Sequence, residues 1–242
     1  MFDDLAAIIL AAGKGTRLNS KDINKVTLEV GGIPIIIRII NILRETGTKN
    51  ILVVVGFAKD SVEKLLDKDV KTVEQANQLG TGDAVKIALD KISANTKNIL
   101  ILMGDDAYLY SPAIFNNFYK FHLEQKSDLT FLTTVLENTK GLGRVIRNEN
   151  GNPVRIVEDN DASDEIKKIN EVNLGCYIFK MDFLRKYIDQ IQKSPITGEY
   201  YLVDLIEIAI KNARIVRVYT LENFSWRGIN TKEELEEAQK LI

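Results

Sequence analysis

Between Lys14 and Lys25 the chain places four cations, Lys14, Arg17, Lys21 and Lys25, against one anion, Asp22. They follow the apolar run Ala6–Ala12 through Gly13-Lys14-Gly15-Thr16-Arg17. An apolar run of that length reads as a buried strand. The two glycines past it let backbone N–H groups approach a ligand with no side chain between. A strand that ends in glycines and cations is suited to holding phosphate. Asp105 follows a second apolar run, Asn98–Met103. A carboxylate there needs a partner, and Mg2+, a hard cation that takes oxygen ligands, is the natural one. A helix cap is the other use for an aspartate at that point, and Asp106 fits it equally well. Gln75 follows the strand-like Val70–Val73, and its amide offers a donor and an acceptor, matching a pyrimidine edge.

Two common phosphate loops do not fit. A P-loop needs G-x-x-x-x-G-K-[ST], but Gly13-Lys14 is followed by Gly15. A dinucleotide loop needs a third glycine where Leu18 stands, and an acidic residue after the second strand, where the chain reads Val55-Gly56-Phe57. An NAD-binding oxidoreductase is disfavoured on both counts.

The 242 residues are 45% apolar and 27% charged with a net charge of -2. That profile suits a soluble globular chain of one large or two small domains. It gives the whole surface no pull on nucleic acid. One cysteine, Cys176, excludes an internal disulfide and a cysteine-based zinc site. The single histidine, His122, has no histidine partner and reads as an ordinary helix residue. No apolar run reaches the roughly 18 residues of a membrane span, and the acidic start Met-Phe-Asp-Asp-Leu lacks the basic region of a signal peptide. A cytoplasmic, reducing location with no membrane partner is the expectation.

Strand-like runs at Ala6–Leu10, Asn50–Val55, Asn98–Met103, Leu129–Val135, Asn173–Phe179 and Arg214–Tyr219 alternate with longer amphipathic segments. The first three are apolar almost throughout, as parallel strands covered on both faces are. Helices are expected at Pro34–Arg44, Lys59–Leu66, Gly82–Ile92 and Pro112–Gln125. Pro34 and Pro112 suit a first helical turn, and Ser111 an N-cap. The first half therefore predicts an α/β doubly wound sheet with its ligand loops on one edge. In the second half, Gly143–Arg147 and Val154–Glu158 flank a turn cluster ending in Gly151-Asn152-Pro153 and predict a hairpin. The charged stretch 159–170 reads as a mobile surface loop. Helices follow at Met181–Ile191 and Tyr201–Lys211, and the last is expected at Lys232–Leu241. One domain over 1–242 is expected, with a nucleotide half at about 1–110, a sugar half at about 111–230 and a C-terminal helix at 231–242.

A third loop type, G-x-G-T-R with a lysine further on, matches Gly13 to Lys25. With it the chain resembles the sugar-1-phosphate nucleotidyltransferases, most closely the uridylyltransferase domain that makes UDP-N-acetylglucosamine. The likeness runs through Leu10-Ala11-Ala12-Gly13-Lys14-Gly15-Thr16-Arg17-Leu18 and Lys25, then Gln75–Gly82 and Gly104-Asp105. It continues through Gly141–Val145, Ile156-Val157-Glu158, Glu171–Gly175, Gly198–Asp204 and Gly228-Ile229-Asn230. It implies a Rossmann-like mixed sheet with a sugar-binding hairpin, and Mg2+-dependent transfer of a nucleotidyl group from NTP to a sugar-1-phosphate, releasing pyrophosphate. Small-molecule substrates are the implied partners; the oligomeric state is left open.

The resemblance assigns roles. Arg17, Lys25 and Asp105 are the implied catalytic residues, with Asp105 and Asn230 holding the metal. Leu10, Ala11, Ala12, Gly13, Lys14, Gly15 and Thr16 would face the nucleotide, with Gln75, Gly80 and Thr81 reading uracil. Gly104, Gly143, Glu158, Asn173 and Tyr200 are the implied sugar contacts, and for Tyr200 or its neighbour Tyr201 simple packing is the stronger expectation. Thr231 is available to cap the last helix in place of Asn230. Departures fall on the sugar side. Asp106-Ala107-Tyr108 replaces the usual V-P-L, Val203 replaces a threonine, and Asn160 replaces a lysine. UTP with N-acetylglucosamine-1-phosphate is the favoured pair. Alternatives are another pair, such as dTTP with glucose-1-phosphate, or a non-catalytic nucleotide-sugar-binding subunit. The best-known relatives also carry a hexapeptide-repeat acetyltransferase domain. No such repeat occurs in these residues, which fit either a single-activity enzyme or one domain of a longer one.

Overall fold

Apolar runs that are buried on both faces build the middle of a nine-stranded sheet. The computed structural model describes residues 4–15, 23–224, 226, 228–229 and 231–240. The first half contains β1 (Leu5–Ala11), β2 (Glu29–Val30), β3 (Ile33–Pro34), α1 (Ile35–Glu45) and β4 (Asn50–Val55). It continues with α2 (Lys59–Glu63), β5 (Lys71–Glu74), α3 (Thr81–Leu89) and β6 (Asn98–Met103). The second half contains α4 (Pro112–Glu124), β7 (Leu129–Val135), β8 (Arg144–Arg147), β9 (Pro153–Val157), α5 (Asp164–Lys167) and β10 (Glu171–Lys180). Then come α6 (Met181–Tyr187), α7 (Asp204–Lys211), β11 (Val216–Thr220) and α8 (Lys232–Gln239).

Strands β5, β4, β1 and β6 lie side by side and parallel. Strand β10 runs antiparallel between β6 and β7, and β11 closes the far edge parallel to β7. The β8–β9 hairpin hangs on β10 through the pair Val172 and Arg144. From β1 the chain steps outward to β4 and β5, then returns to β6 on the other side of β1. The strand order reverses at β1. In open α/β sheets the crevice beyond the carboxyl ends at such a reversal is where ligands bind.

Successive side chains of β1 go to opposite cores. Leu5, Ala7, Ile9 and Ala11 pack with α1 and α4, while Ala6 and Ile8 pack with α3, α6 and α7. Helix α1 buries Ile35, Ile36, Ile39, Ile40 and Leu43 along one stripe; each is worth roughly 1.5–3 kcal/mol relative to exposure. Ser111 caps α4, its Oγ accepting from Ile114 N.

The mixed α/β architecture expected from the sequence is the one found. Two local expectations change. The segment 159–170 is not simply a loop, since it holds a 3-10 turn at Asp159–Asp161 and the short helix α5, capped by Ser163. Helix α1 starts at Ile35, with Pro34 before it in extended backbone.

Candidate active site

The loop after β1 is anchored by Asn24, which is 1% exposed. Its Nδ2 donates to Ala11 O and Phe57 O, both at 2.8 Å, and its Oδ1 accepts from Val26 N at 3.2 Å. This caps the 3-10 turn Lys25–Thr27 and ties it to the ends of β1 and β4. The turn delivers Lys25 to Asp105, past the end of β6, and the two side chains form an ion pair. Both are largely buried, 15% and 19% exposed. Ile229 N donates to the Asp105 carbonyl at 3.2 Å, so the chain at Gly228-Ile229 comes against Asp105. A cleft of about 280 Å³ opens here, lined by Leu10 to Gly13, Lys25, Gln75, Gly80, Thr81 and Asp105.

One wall of this cleft is a seam between two distant motifs. Gly80 has φ +105°, and a Cβ there would lie 2.5 Å from Tyr200 O. Tyr200 N donates to Leu79 O and Gly82 N to Tyr200 O, both at 2.8 Å, and Leu202 N donates to Thr81 Oγ1 at 2.9 Å. Thr81 and Gly80 thus carry the segment 199–202 as well as lining the cleft. Gln75 is 3% exposed, and its Nε2 donates to Gly80 O at 3.1 Å and Asp83 Oδ2 at 2.7 Å.

A second cleft, of about 620 Å³, is lined by Lys140, Gly141, Glu158, Asp159, Tyr201 and the start of α8; Glu199 borders both clefts. Burial and the nearby Asp161, Asp204 and Asp159 push the Glu158 carboxyl up to about 7, against the opposing pull of Arg144. Arg144, with a side chain 3% exposed, pairs with Asp159 at 3.0 Å and holds the loop carbonyl of Leu142. A Cβ on Gly143 would meet Ile156 Cγ2 at 2.8 Å and Glu158 Oε1 at 3.3 Å. Gly143 therefore lets its loop lie flat on the glutamate.

Several expected residues sit elsewhere or have other partners. Gly104 does not border either cleft: its N donates to Leu10 O at 2.9 Å, and a Cβ would strike Leu10 O and Val26. It lets the chain leaving β6 lie close against the end of β1. Asn173 uses its amide internally, Nδ2 to Tyr177 OH at 2.5 Å and Oδ1 from Gly175 N at 3.3 Å, around a register shift in β10. The Tyr200 ring lies beneath Lys193 and lines a separate groove with Lys86 and Asp189, while Tyr201 borders the second cleft. Lys14 is exposed. Thr16, Arg17, Lys21 and Asn230 lie outside the described residues. Thr231 caps α8 in a capping box with Glu234. Asp106 does not cap its turn; it is buried, one carboxylate oxygen has no partner among the described residues, and burial beside Asp105 raises its carboxyl well above the usual range. His122 is hydrogen-bonded to Thr130 and Asn98, and burial, with the nearby Lys180 charge, holds its imidazole down to about 4 and neutral. Sequence reasoning missed Asn24, Asp83 and Arg144.

Asp105 is fit to hold Mg2+. Its carboxylate supplies hard oxygens on the cleft wall, and Mg2+ commonly takes one or two protein carboxylates, with water and substrate phosphates completing its shell. Among the described residues no three or more His, Cys, Asp and Glu gather as a metal cluster, and no helix is long and apolar enough to cross a membrane.

The sequence profile of the nucleotidyl transferase family matches residues 6–242. The chain is 37% identical over 240 residues to the bifunctional protein GlmU of Thermoanaerobacter pseudethanolicus, covering 99% of this chain and 52% of that protein. It is 41% identical over 237 residues to the bifunctional protein GlmU of Fervidobacterium nodosum, covering 98% and 50%. The chain spans about half the length of these curated relatives. A crystal structure of a Bacillus anthracis protein named as a glucose-1-phosphate thymidylyltransferase, in complex with sucrose, has the same fold. Its TM-score is 0.80 at 21% identity, covering 98% of this chain and 94% of that one.

Proposed function

Because the chain belongs to the nucleotidyl transferase family, we propose that it transfers a uridylyl group from UTP to N-acetylglucosamine-1-phosphate, with Mg2+, releasing pyrophosphate. The observation that carries this is the Lys25–Asp105 pair at the crevice where β1 and β6 end, with Ile229 N donating to the Asp105 carbonyl.

In the proposed reaction a sugar phosphate oxygen attacks the α-phosphorus and the bond to pyrophosphate breaks. A phosphate monoester with a second pKa near 6 is already largely ionised at neutral pH. No general base is required, and the buried, neutral His122 has no part. The work left is to align two anions that repel and to neutralise the leaving group. Lys25 has three N–H donors and can hold Asp105 while donating to an α-phosphate oxygen. The exposed backbone at Gly13 has, among the described residues, no neighbour within 4 Å of where a Cβ would stand, and is proposed to face phosphate; Arg17 and Thr16 are proposed to complete that grip. Asp105 and Asn230 are the proposed metal ligands. Bound Mg2+ supplies Lewis-acid charge neutralisation and a template for both phosphates. Gln75 is proposed to face the base, and Glu158 and Tyr201 the sugar.

The test is pyrophosphate release with each NTP, including dTTP, against a panel of sugar-1-phosphates with Mg2+. Release fastest with UTP and N-acetylglucosamine-1-phosphate is expected. Fastest release with dTTP and glucose-1-phosphate would reassign the pair, and no release with any pair would favour a nucleotide-sugar-binding subunit.

A further inference from the structure

Gln75 is fixed from behind the cleft it lines. Both hydrogens of its Nε2 have acceptors, the Gly80 carbonyl at 3.1 Å and Asp83 Oδ2 at 2.7 Å. A carbonyl and an ionised carboxylate can only accept. Turning the amide over would set Gln75 Oε1 against both of them in a nearly dry pocket, where the residue is 3% exposed. The orientation is therefore dictated by chemistry, and Oε1 is the polar atom left for a ligand in the cleft. Asp83 stands one layer back. It belongs to the first turn of α3 and lines the separate groove with Lys86, Asp189 and Tyr200.

We propose that Asp83 is a specificity-determining positioning residue: by holding the Gln75 amide with Oε1 toward the cleft, it selects a pyrimidine that carries a ring N–H. Uracil and thymine bring N3–H to such an acceptor. Cytosine, equal in size, brings a bare N3 whose lone pair opposes Oε1. The selection comes from leaving buried polar groups unpaired with the wrong base, which discriminates more strongly than shape does. This rests on the proposal that the cleft around Gln75 holds the nucleotide base.

An acidic residue in the first turn of a helix also interacts favourably with the helix dipole. If that were all Asp83 did, its removal would lower stability and weaken every nucleotide alike. The two roles separate in a ratio of affinities. Calorimetric titration of UTP and CTP into the full chain, wild type, Asp83→Ala and Asp83→Asn, with thermal unfolding of each, makes the test. Wild type is expected to bind UTP at least about 10-fold more tightly than CTP. Asp83→Ala should bring the ratio close to one. Asp83→Asn, which keeps an acceptor oxygen without the charge, should fall between.

A wild-type ratio near one would overturn the proposal. So would a ratio in Asp83→Ala equal to that of wild type, or parallel losses for both nucleotides. If the alanine variant does not fold, an unchanged ratio in the asparagine variant overturns it equally. Discrimination in binding without pyrophosphate release would sink the catalytic reading and leave this one standing. Equal binding of UTP and CTP, with release from both, would do the reverse.

Discussion

The backbone of Tyr200 lies where a side chain on residue 80 would have to be, 2.5 Å from the position of a Cβ on Gly80. Tyr200 also donates to Leu79 O and accepts from Gly82 N. The wall of the first cleft and the wall of the second cleft are thus one joint, with Glu199 bordering both.

Gly80→Ala is expected to cost about 2–4 kcal/mol, because it combines positive-φ strain with a clash against backbone that cannot rotate away. Urea unfolding measures it. The surviving folded protein should show raised KM for both NTP and sugar-1-phosphate, since the joint serves both clefts.

Asn24→Ala removes three side-chain hydrogen bonds, two of them from Nδ2 to the Ala11 and Phe57 carbonyls. A loss of about 2–4 kcal/mol in stability follows. Turnover should fall about 10-fold with Lys25 no longer held at the crevice, while KM for the sugar phosphate stays close to wild type. An equal rise in both KM values would place the loop's role in binding instead.

Asp105→Ala is expected to lower turnover by at least ~10²-fold, through loss of charge stabilisation at the reacting phosphates. Its unfolding transition should stay cooperative. Near-normal turnover would move the metal site, and Asp106, with its unpartnered oxygen, would be tested next.

Glu158 gives a pH signature. Its carboxyl rises from 4.5 to about 7 in the folded chain, so between those values the folded state holds a proton that the unfolded state has lost. The associated stability is fully present below pH 4.5 and is lost as pH rises through 7, up to about 3 kcal/mol. Asp204, raised to about 6, acts in the same direction at lower pH. If the Glu158 carboxylate accepts from sugar hydroxyls, KM for the sugar phosphate should fall between pH 6 and 8. Glu158→Gln should abolish the part of both trends that belongs to this residue, leaving the substrate phosphate's own titration. Identical pH profiles in wild type and variant would remove Glu158 from the sugar site.

Much of the scaffold was legible along the chain. Asn50–Val55, Asn98–Met103 and Leu129–Val135 form strands at the expected bounds; for the first two, a run apolar on both faces has only one place to go in a layered sheet. What was illegible depended on contacts far along the chain. Asn24 reads as a loop polar residue until β1 and β4 converge on it, 13 and 33 residues away. Gly104 and Gly80 read as ligand glycines, yet each admits protein backbone. Tyr200 and Tyr201 are adjacent, and only the seam with Gly80 decides which of them borders the second cleft. Helix α5 had a usable signal in Ser163 followed by Asp164-Glu165, a cap with acids in the first turn, masked by the charge of its neighbours.

The central proposal is that the bond between the α- and β-phosphates breaks and the α-phosphorus passes to a sugar phosphate. UTP labelled at the α-phosphate, incubated with the protein, Mg2+ and N-acetylglucosamine-1-phosphate, follows that atom directly. The label is expected in a sugar nucleotide, only when the sugar phosphate is present, with one unlabelled pyrophosphate released per product. Label recovered in UMP or UDP, regardless of the sugar phosphate, would contradict it.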